Sequence, residues 1–386
     1  MLLYFNDEHE AFRQMVRRFV ETEINPYVEA WEAQRIFPAH ELFKKMGNLG
    51  LLGLSYPEEY GGGGVDYWYS VVFLEEIGRI HCAGVPMGIA VHTDMATPAL
   101  AEFGSHELKQ RFLAPAIAGD MVAAIAISEP DAGSDVAAIR TRAEADGDDY
   151  VINGAKMWIT NGTQADFVTL LARSSGEHGF KGMSLIVVPT DTPGFSVSHK
   201  LEKLGNHSSD TAILSFDNVR VPKANRIGEE GMGFSLQMKQ FQRERLAAVL
   251  MSISGMERAI RMTINYGRER QAFGKPLIEN QWIHFKIAEL LTEVEALRQL
   301  AYHCVRVMVA GGDMTKEVSM AKLKAGRVAR EVADTCLQFH GGMGYVEEYP
   351  MARYFRDARL LSIGAGADEI MLGIIAKCEG ILPGRQ

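Results

Sequence analysis

Between Ile125 and Gly162 the chain carries two runs of residues able to do chemistry. They are Ser128-Glu129-Pro130-Asp131-Ala132-Gly133-Ser134-Asp135 and, after a spacer, Lys156-Met157-Trp158-Ile159-Thr160-Asn161-Gly162. In the first, Pro130 fixes one backbone angle and Gly133 permits close approach of the backbone to a ligand. Ser128 and Ser134 add hydroxyls that donate or accept, and backbone N–H groups in such turns can face an anion. In the second, Trp158 offers an apolar plane. Thr160 places a hydroxyl two residues on, on the same face of a strand whose side chains alternate. Together these suit a flat cofactor with polar edges. Either run alone reads as an ordinary β-turn or a half-buried strand; the pairing carries the chemistry.

The elements that must position these runs follow from length and texture. A chain of 386 residues predicts two or three packed regions, and 47% hydrophobic content predicts a soluble globular protein with an ample interior. The net charge of -9 weighs against nucleic acid as a partner. Cys82, Cys304, Cys336 and Cys378 form no C-x-x-C pair, so free thiols in a reducing compartment are expected, with no disulfide and no metal site. The chain enters an amphipathic helix almost at once and has no apolar stretch of membrane-spanning length. No targeting peptide, no membrane association and a cytoplasmic location are therefore expected.

Residues 1–120 read as helical. Asp7 is placed to cap a first helix with Glu10 three residues on, and Phe12, Val16, Phe19, Val20 and Ile24 follow at helical spacing before a break at Asn25-Pro26. Apolar stripes continue through Leu42–Leu52 and Val71–Ile80, and a last helix spans Glu107–Ala118. Gly61–Gly64 has no strand before it and no helix after it, which argues against a dinucleotide-binding turn. Residues 121–225 change texture: Tyr150–Ile152, Met157–Thr160, Phe167–Leu171, Leu185–Val188 and Ala212–Phe216 predict an antiparallel β-domain. Asn153-Gly154, Pro193-Gly194 and Asp217-Asn218 are its expected breaks. Residues 226–386 are helical again, with long stripes over Met232–Tyr266, Gln281–Val309 and Thr315–Gln338, the second including Ile287, Leu290, Leu291, Val294 and Leu297.

Three further segments extend the opening pair: Arg270-Gln271-Ala272-Phe273-Gly274-Lys275-Pro276 with Asn280-Gln281; Gln338-Phe339-His340-Gly341-Gly342-Met343-Gly344-Tyr345 leading to Glu348, Arg353 and Asp357; and Leu204–Thr211 with Phe216–Pro222. With that pair, they resemble the acyl-CoA dehydrogenase family over essentially the whole chain. The resemblance implies an α+β architecture: an N-terminal helical domain, a middle antiparallel β-barrel or sandwich, and a C-terminal four-helix bundle. It also implies FAD as cofactor, an acyl-CoA substrate, electron-transfer flavoprotein as partner, and a homotetramer arranged as a dimer of dimers. The flavin would lie against Ile125, Ile127, Ser128, Gly133, Ser134 and Trp158-Ile159-Thr160. Arg270, Phe273 and Gln281 would contact FAD in part across a subunit interface, an arginine's planar fork suiting a pyrophosphate. Gln338, Gly341, Gly342, Ala367 and Glu369 complete the cofactor contacts. His340 is expected to be structural, since the resemblance gives that position no proton-transfer role. His207 stands where the family usually has an arginine.

The reaction of this family takes two hydrogens from adjacent carbons of an acyl thioester. It needs a base for the α-proton, flavin N5 as acceptor for the β-hydride, and hydrogen bonds to the thioester carbonyl. Many members carry the base in a C-terminal Tyr-Glu-Gly-Thr segment. Here the chain reads Ile363-Gly364-Ala365-Gly366-Ala367-Asp368-Glu369, and Ala365 cannot move a proton. Phe241-Gln242-Arg243-Glu244-Arg245-Leu246 resembles the Glu-Arg-Leu segment of isovaleryl-CoA and long-chain acyl-CoA dehydrogenases. Glu244, by itself a solvated helix carboxylate, is therefore the expected base, with Glu369, Asp368 and Glu129 as weaker candidates. Ser134, Gln242, Arg245, Gly364, Ala365 and Gly366 would contact the substrate. The Ile-Gly-Ala-Gly string is similar to that of isovaleryl-CoA dehydrogenases. Gly366–Ile375 with Gly380-Ile381-Leu382-Pro383-Gly384 is similar to that of bacterial citronellyl-CoA dehydrogenases. Both imply a 3-methyl-branched acyl-CoA. The alternatives are a straight long-chain acyl-CoA, a flavin oxidase or monooxygenase of the same fold, and a non-catalytic flavin-binding protein, against which the acidic balance weighs.

Overall fold

The computed structural model describes residues 4–176 and 179–382, so Pro383 and Gly384 of the closing segment lie outside the described residues. The first helix, Asp7–Phe19, is capped one residue earlier than the Asp7–Glu10 pair predicts. The Asn6 side chain accepts from His9 N at 2.9 Å, and His9 Nδ1 accepts from Asn6 N at 3.2 Å. Val16, Phe19, Val20 and Ile24 are buried as one stripe along this helix and the wider π-helical turn Val20–Ile24 that carries it on to Asn25-Pro26. The stripes at 42–52 and 71–80 fall on helices Ala39–Asn48 and Tyr67–Ile77. The second of these buries Glu75 and Glu76. Arg13 Nη1 meets Glu75 at 2.8 Å, Arg17 Nη2 meets Glu76 at 2.7 Å, and Arg298 Nη1 meets Glu75 at 3.2 Å. These pairs tie the first helix to the C-terminal helices.

One sheet fills the middle of the chain. It comprises β1 (Ala123–Ala126), β2 (Arg142–Asp146), β3 (Asp149–Thr160), β4 (Phe167–Arg173), β5 (Met183–Pro189), β6 (Phe195–Lys200), β7 (Thr211–Pro222) and β8 (Arg226–Ile227). Their order is β6-β7-β3-β2-β4-β5-β8, with β1 against β4. The predicted antiparallel domain needs one correction: β1 and β4 pair in parallel, and β2 touches β4 in parallel at Arg142. Parallel neighbours need a long connection, and the chain from Ala126 to Phe167 supplies one that also carries both opening runs. Phe167, Leu171, Leu185 and Val187 face one core, while Val168, Leu170, Ile186 and Val188 face another. β4 and β5 are thus buried on both sides and form a stiff support beneath those runs.

Two expected breaks are not breaks. Asn153-Gly154 and Asp217-Asn218 lie inside β3 and β7, where the register shifts and Asn153 Oδ1 accepts from Asn218 N at 2.8 Å. The asparagine side chain replaces a ladder bond, so the turn-prone pairs form a bulge rather than ending the strands. Pro193-Gly194 does turn, with Gly194 at φ 89°.

The last region is built on three long helices, Gly233–Glu269, Gln281–Val309 and Thr315–His340, with the shorter Asp368–Cys378 packed on the third. Ile287, Leu290, Val294 and Leu297 are buried, but Leu291 is 43% exposed, and Trp282 and Phe285 of the same helix are exposed as well. Among the described residues no helix is long and apolar enough to cross a membrane, and no group of three or more His, Cys, Asp or Glu could hold a metal ion.

Candidate active site

The turn Ser128–Asp135 is held from beneath by a buried ion pair. Glu129 N donates to Ala132 O at 2.9 Å, Ala132 N donates back at 3.1 Å, and Met157 N reaches Ser128 O at 2.9 Å. The Glu129 carboxylate accepts from Arg140 N at 2.6 Å, Thr141 N at 2.9 Å and Lys156 Nζ at 2.9 Å. Lys156 is fully buried and also donates to Ile127 O at 2.7 Å. Burial pushes the Glu129 carboxyl up, but Lys156 and the other donors outweigh it and hold it below its usual range. For Lys156 burial prevails over the pull of Glu129, bringing the ammonium down to about 8. Glu129, with its charge stabilised and its oxygens committed, is the anchor of the turn and not a base.

Trp158 joins the two runs. The register of β3 against β7 shifts between Lys156 and Ile159, and Trp158 adopts φ 63° with its side chain half exposed. A bulky residue in the left-handed region is strained, and such strain collects at functional sites. A Cβ built on Gly133 would lie 3.9 Å from Trp158 Cζ3, so the turn and the indole are neighbours. Ile159 is buried behind them, while Thr160 and Ile125 are half-buried and Ile127 is buried. Among the described residues the hydroxyls of Ser128, Ser134 and Thr160 make no hydrogen bond. The structure therefore brings together a plane, three hydroxyls without an intrachain partner among the described residues, and an anchored turn backbone.

Glu244 lies on the long helix and is 4% exposed, not solvated. Its Oε1 accepts from Gln237 Nε2 and Gln240 Nε2, each at 2.9 Å, and no ion pair reaches it among the described residues. Burial pushes its carboxyl up to about 7. The two amides and Arg245 pull against that, and Asp94 adds to it. A carboxylate poised near neutrality accepts a proton far more readily than a free one.

The C-terminal loop lies against the same turn of helix. A Cβ on Gly366 would stand 3.7 Å from Arg245 Nε and Nη2 and 2.6 Å from Met371 Cε, and Gly366 sits at φ 97°. Arg245 is buried, donates from Nη1 to Gln242 Oε1 at 3.1 Å, and has no partner for Nε. Fully buried Lys322 fixes the loop by donating to Leu361 O at 2.6 Å and Gly366 O at 2.8 Å. Ala365 takes φ 52°, and a Cβ on Gly364 would meet Leu360 Cδ1 at an ordinary 3.5 Å. The loop that carries Ala365 thus sits beside the helix that carries Glu244. Of the weaker candidates, Asp368 is ion-paired to Arg330 at 3.1 Å, and Glu369 is exposed just after Ala367.

The remaining predicted residues form a second, outward group. Phe273 tops a hairpin between Gln271–Ala272 and Lys275–Pro276; it is wholly exposed and at φ 52°. Arg270 at its base is exposed and makes no ion pair among the described residues, and Gln281, Gln338, Gly341 and Gly342 are exposed. At 1.5 Å per residue, the helix between Glu244 and Arg270 spans roughly 40 Å. One chain therefore cannot bring this group to the turn of helix that bears Glu244. His340 is buried, sits over Cys336 O at 2.7 Å and stacks on Tyr266 at 4.5 Å, as a structural residue would. His207 reaches Lys203 O at 3.0 Å and makes no ion pair among the described residues.

Sequence reasoning missed Lys156, Gln237, Gln240 and Asp94. A lysine on the apolar face that Tyr150 and Ile152 define was a readable sign of a buried cation. Glutamines four and seven residues before Glu244 share its helix face. Asp94 carried no signal: it accepts from Thr93 Oγ1 at 2.6 Å and lines a small pocket with Arg243, Tyr67 and Tyr56.

Models of the N-terminal, middle and C-terminal domains of acyl-CoA dehydrogenases match residues 6–120, 124–219 and 231–379. The chain is 38% identical to an acyl-CoA dehydrogenase of Bacillus subtilis, over 97% of this chain and 98% of that protein. It is 37% identical both to the mitochondrial short-chain specific acyl-CoA dehydrogenase of Rattus norvegicus (96% and 89% covered) and to the mitochondrial isovaleryl-CoA dehydrogenase of Solanum tuberosum (97% and 91%). Among solved structures, an acyl-CoA dehydrogenase from Geobacillus kaustophilus superposes with a TM-score of 0.95 at 40% identity, over 98% of this chain and 100% of that one. A glutaryl-CoA dehydrogenase from Mycobacterium smegmatis in complex with FADH2 superposes at 0.91 with 31% identity, over 99% and 97%.

Proposed function

The chain belongs to the acyl-CoA dehydrogenase family and is an acyl-CoA dehydrogenase, and from that premise we propose that it oxidises a 3-methyl-branched acyl-CoA to the trans-2-enoyl-CoA with Glu244 as base. One observation carries the assignment of the base. Glu244 is a buried, cation-free carboxylate pushed up to about 7, beside the loop whose Ala365 leaves the usual glutamate place empty.

FAD is the proposed cofactor, and it supplies the acceptor for the β-hydride. The residues present suit it. Trp158 offers a plane to the ring, Ser128, Ser134 and Thr160 offer free hydroxyls to its polar edge, and unpaired Arg270 offers a fork to a pyrophosphate. The FADH2 held by the Mycobacterium smegmatis glutaryl-CoA dehydrogenase supports the same choice. Arg270, Phe273, Gln281, Gln338, Gly341 and Gly342 lie at the far end of the helix, roughly 40 Å along it from Glu244, and would serve the cofactor of another copy. The exposed Trp282, Phe285 and Leu291 supply apolar surface for such contacts in a homotetramer built as a dimer of dimers. Electron-transfer flavoprotein is the proposed electron acceptor. Four free cysteines are consistent with the cytoplasm.

In the reaction, Ser134 holds the CoA arm, and Arg245 and Gln242 hold the loop 364–366 against the acyl chain. Glu244 takes the α-proton. Gly364 leaves free the space a tyrosine fills in straight-chain enzymes, which suits a methyl at C3. Relatives with short-chain and isovaleryl names are equally similar, so this choice rests on the loop itself. Bleaching of the bound flavin should be followed with 3-methyl-branched and straight acyl-CoAs of equal length. We expect kcat/KM about tenfold higher for the branched series, the cost of an unfilled methyl-sized space; higher values for straight chains would overturn the branching. Persistence of substrate-reduced flavin in air separates a dehydrogenase from an oxidase.

A further inference from the structure

Two glutamines hold Glu244, and they are not equivalent. Gln240 is locked: its Oε1 accepts from Ala99 N at 2.9 Å, and its Nε2 donates to Met95 O as well as to Glu244 Oε1. Its amide cannot turn over without breaking bonds to the backbone of residues 95–99. Gln237 is fully buried, and among the described residues its side chain makes one bond only, from Nε2 to Glu244 Oε1, while its own Oε1 is buried with no partner. A buried carbonyl oxygen without a donor is costly and uncommon, and it calls for a reason.

Proton uptake supplies one. A carboxylate only accepts hydrogen bonds, whereas a carboxylic acid carries an O–H that needs an acceptor. Half a turn about the last side-chain bond of Gln237 exchanges its N–H₂ for its C=O. Building on the reading of Glu244 as base, we propose that Gln237 is an amide switch, donating to the Glu244 carboxylate before proton abstraction and accepting from the acid afterwards, while Gln240 is a fixed clamp. When the substrate α-C–H bond breaks, its electron pair stays with the substrate and the proton ends as an O–H on Glu244 Oε1, the oxygen both amides meet. Gln240 goes on donating to Oε1, now the hydroxyl oxygen of the acid. Gln237 turns its carbonyl to Oε1–H. Both are positioning residues acting through Glu244. Arg245 on the same helix and Asp94 on the segment Val91–Ala96 are the charged groups that face this carboxyl, and the loop 364–366 brings none.

The test uses the FAD-loaded enzyme and two readouts: the pH dependence of flavin reduction by substrate, and an infrared pH titration of the acid carbonyl band that disappears in Glu244→Gln. In Gln240→Leu the ionised form loses a donor, so the midpoint should rise by about one pH unit. In Gln237→Leu both forms lose a partner. The midpoint should move less than half as far, the acid band should shift to that of a carboxylic acid lacking an acceptor, and plateau reduction should slow about tenfold. An unshifted band with a midpoint raised as far as in Gln240→Leu would make Gln237 a plain donor and overturn the switch. A role confined to packing would lower stability and leave the band in place, which overturns it equally. If Gln240→Leu does not fold, Gln237→Leu against wild type still decides the question. Retained flavin reduction in Glu244→Gln would instead sink the base assignment, a separate failure.

Discussion

Glu129 and Glu244 are both buried glutamates, 6% and 4% exposed, and their surroundings are opposite. Glu129 meets an ammonium and two backbone N–H groups and is held below its usual range. Glu244 meets two neutral amides, while the guanidinium of Arg245 is bonded to Gln242, and burial carries it up to about 7. Burial acts on both in the same direction; the charge of the nearest donor decides the outcome. The sheet uses a cation to fix its carboxylate as a structural anchor. The helix withholds one, and so leaves its carboxylate able to take and release a proton.

The largest effect that can break this contrast is kinetic. In Glu244→Gln, FAD and acyl-CoA should still bind, since the amide keeps the shape and most of the contacts. Flavin reduction should fall on the order of 10⁴-fold, because a neutral amide cannot abstract the proton. Stopped-flow bleaching measures it, and undiminished reduction would move the base elsewhere, with Glu369 examined next. Glu129→Gln should slow reduction far less and show itself instead as weaker FAD retention.

The next effect is on stability. Lys156→Met leaves the Glu129 carboxylate buried without its cation, and removing one partner of a buried pair costs about 3–5 kcal/mol. Denaturant unfolding should register that loss, and Glu129→Gln in the same chain should restore part of it. A cost near zero would mean that the turn is held by its backbone bonds alone.

How much of this was legible in the chain differs between the two glutamates. The order of helical, β and helical regions followed from apolar spacing, and the long stripes predicted the three long helices to within a few residues. Asn153-Gly154 and Asp217-Asn218 misled because a turn signal is local, whereas the Asn153–Asn218 bond that keeps both strands running is made across the sheet. The parallel β1–β4 pair was hidden for the same reason. Trp158 was marked as a plane, but its left-handed backbone, like those of Phe273 and Ala365, cannot be read from residue type. Glu244 was singled out as the expected base through Ala365, which cannot move a proton. Its partners were not, since Gln237 and Gln240 acquire meaning only once the carboxylate is known to be buried rather than solvated. Lys156 escaped notice because a lysine beside a tryptophan reads as surface until the strand that carries it is seen to be enclosed.

The smallest predicted effect is the one that compares the two carboxylates most directly, through the pH dependence of stability. The folded value for Glu244, about 7, lies above its ordinary 4.5. Below pH 4.5 the folded and unfolded chains are both protonated at this site and it costs nothing. Between 4.5 and 7 the unfolded chain ionises first, so stability is lost as pH rises, and above 7 the loss is complete at about 3 kcal/mol. Glutamine cannot ionise. Glu244→Gln should therefore match wild type near pH 4 and become the more stable protein by up to that amount above pH 7, although it is inactive. Glu129 has the opposite sign: its depressed carboxyl contributes stability above its ordinary range that fades as pH falls, so Glu129→Gln should cost most at neutral pH and least in acid. Urea unfolding at a series of pH values would show two difference curves of opposite slope. Parallel curves would mean that the two buried glutamates differ in position only, and not in the charge of what surrounds them.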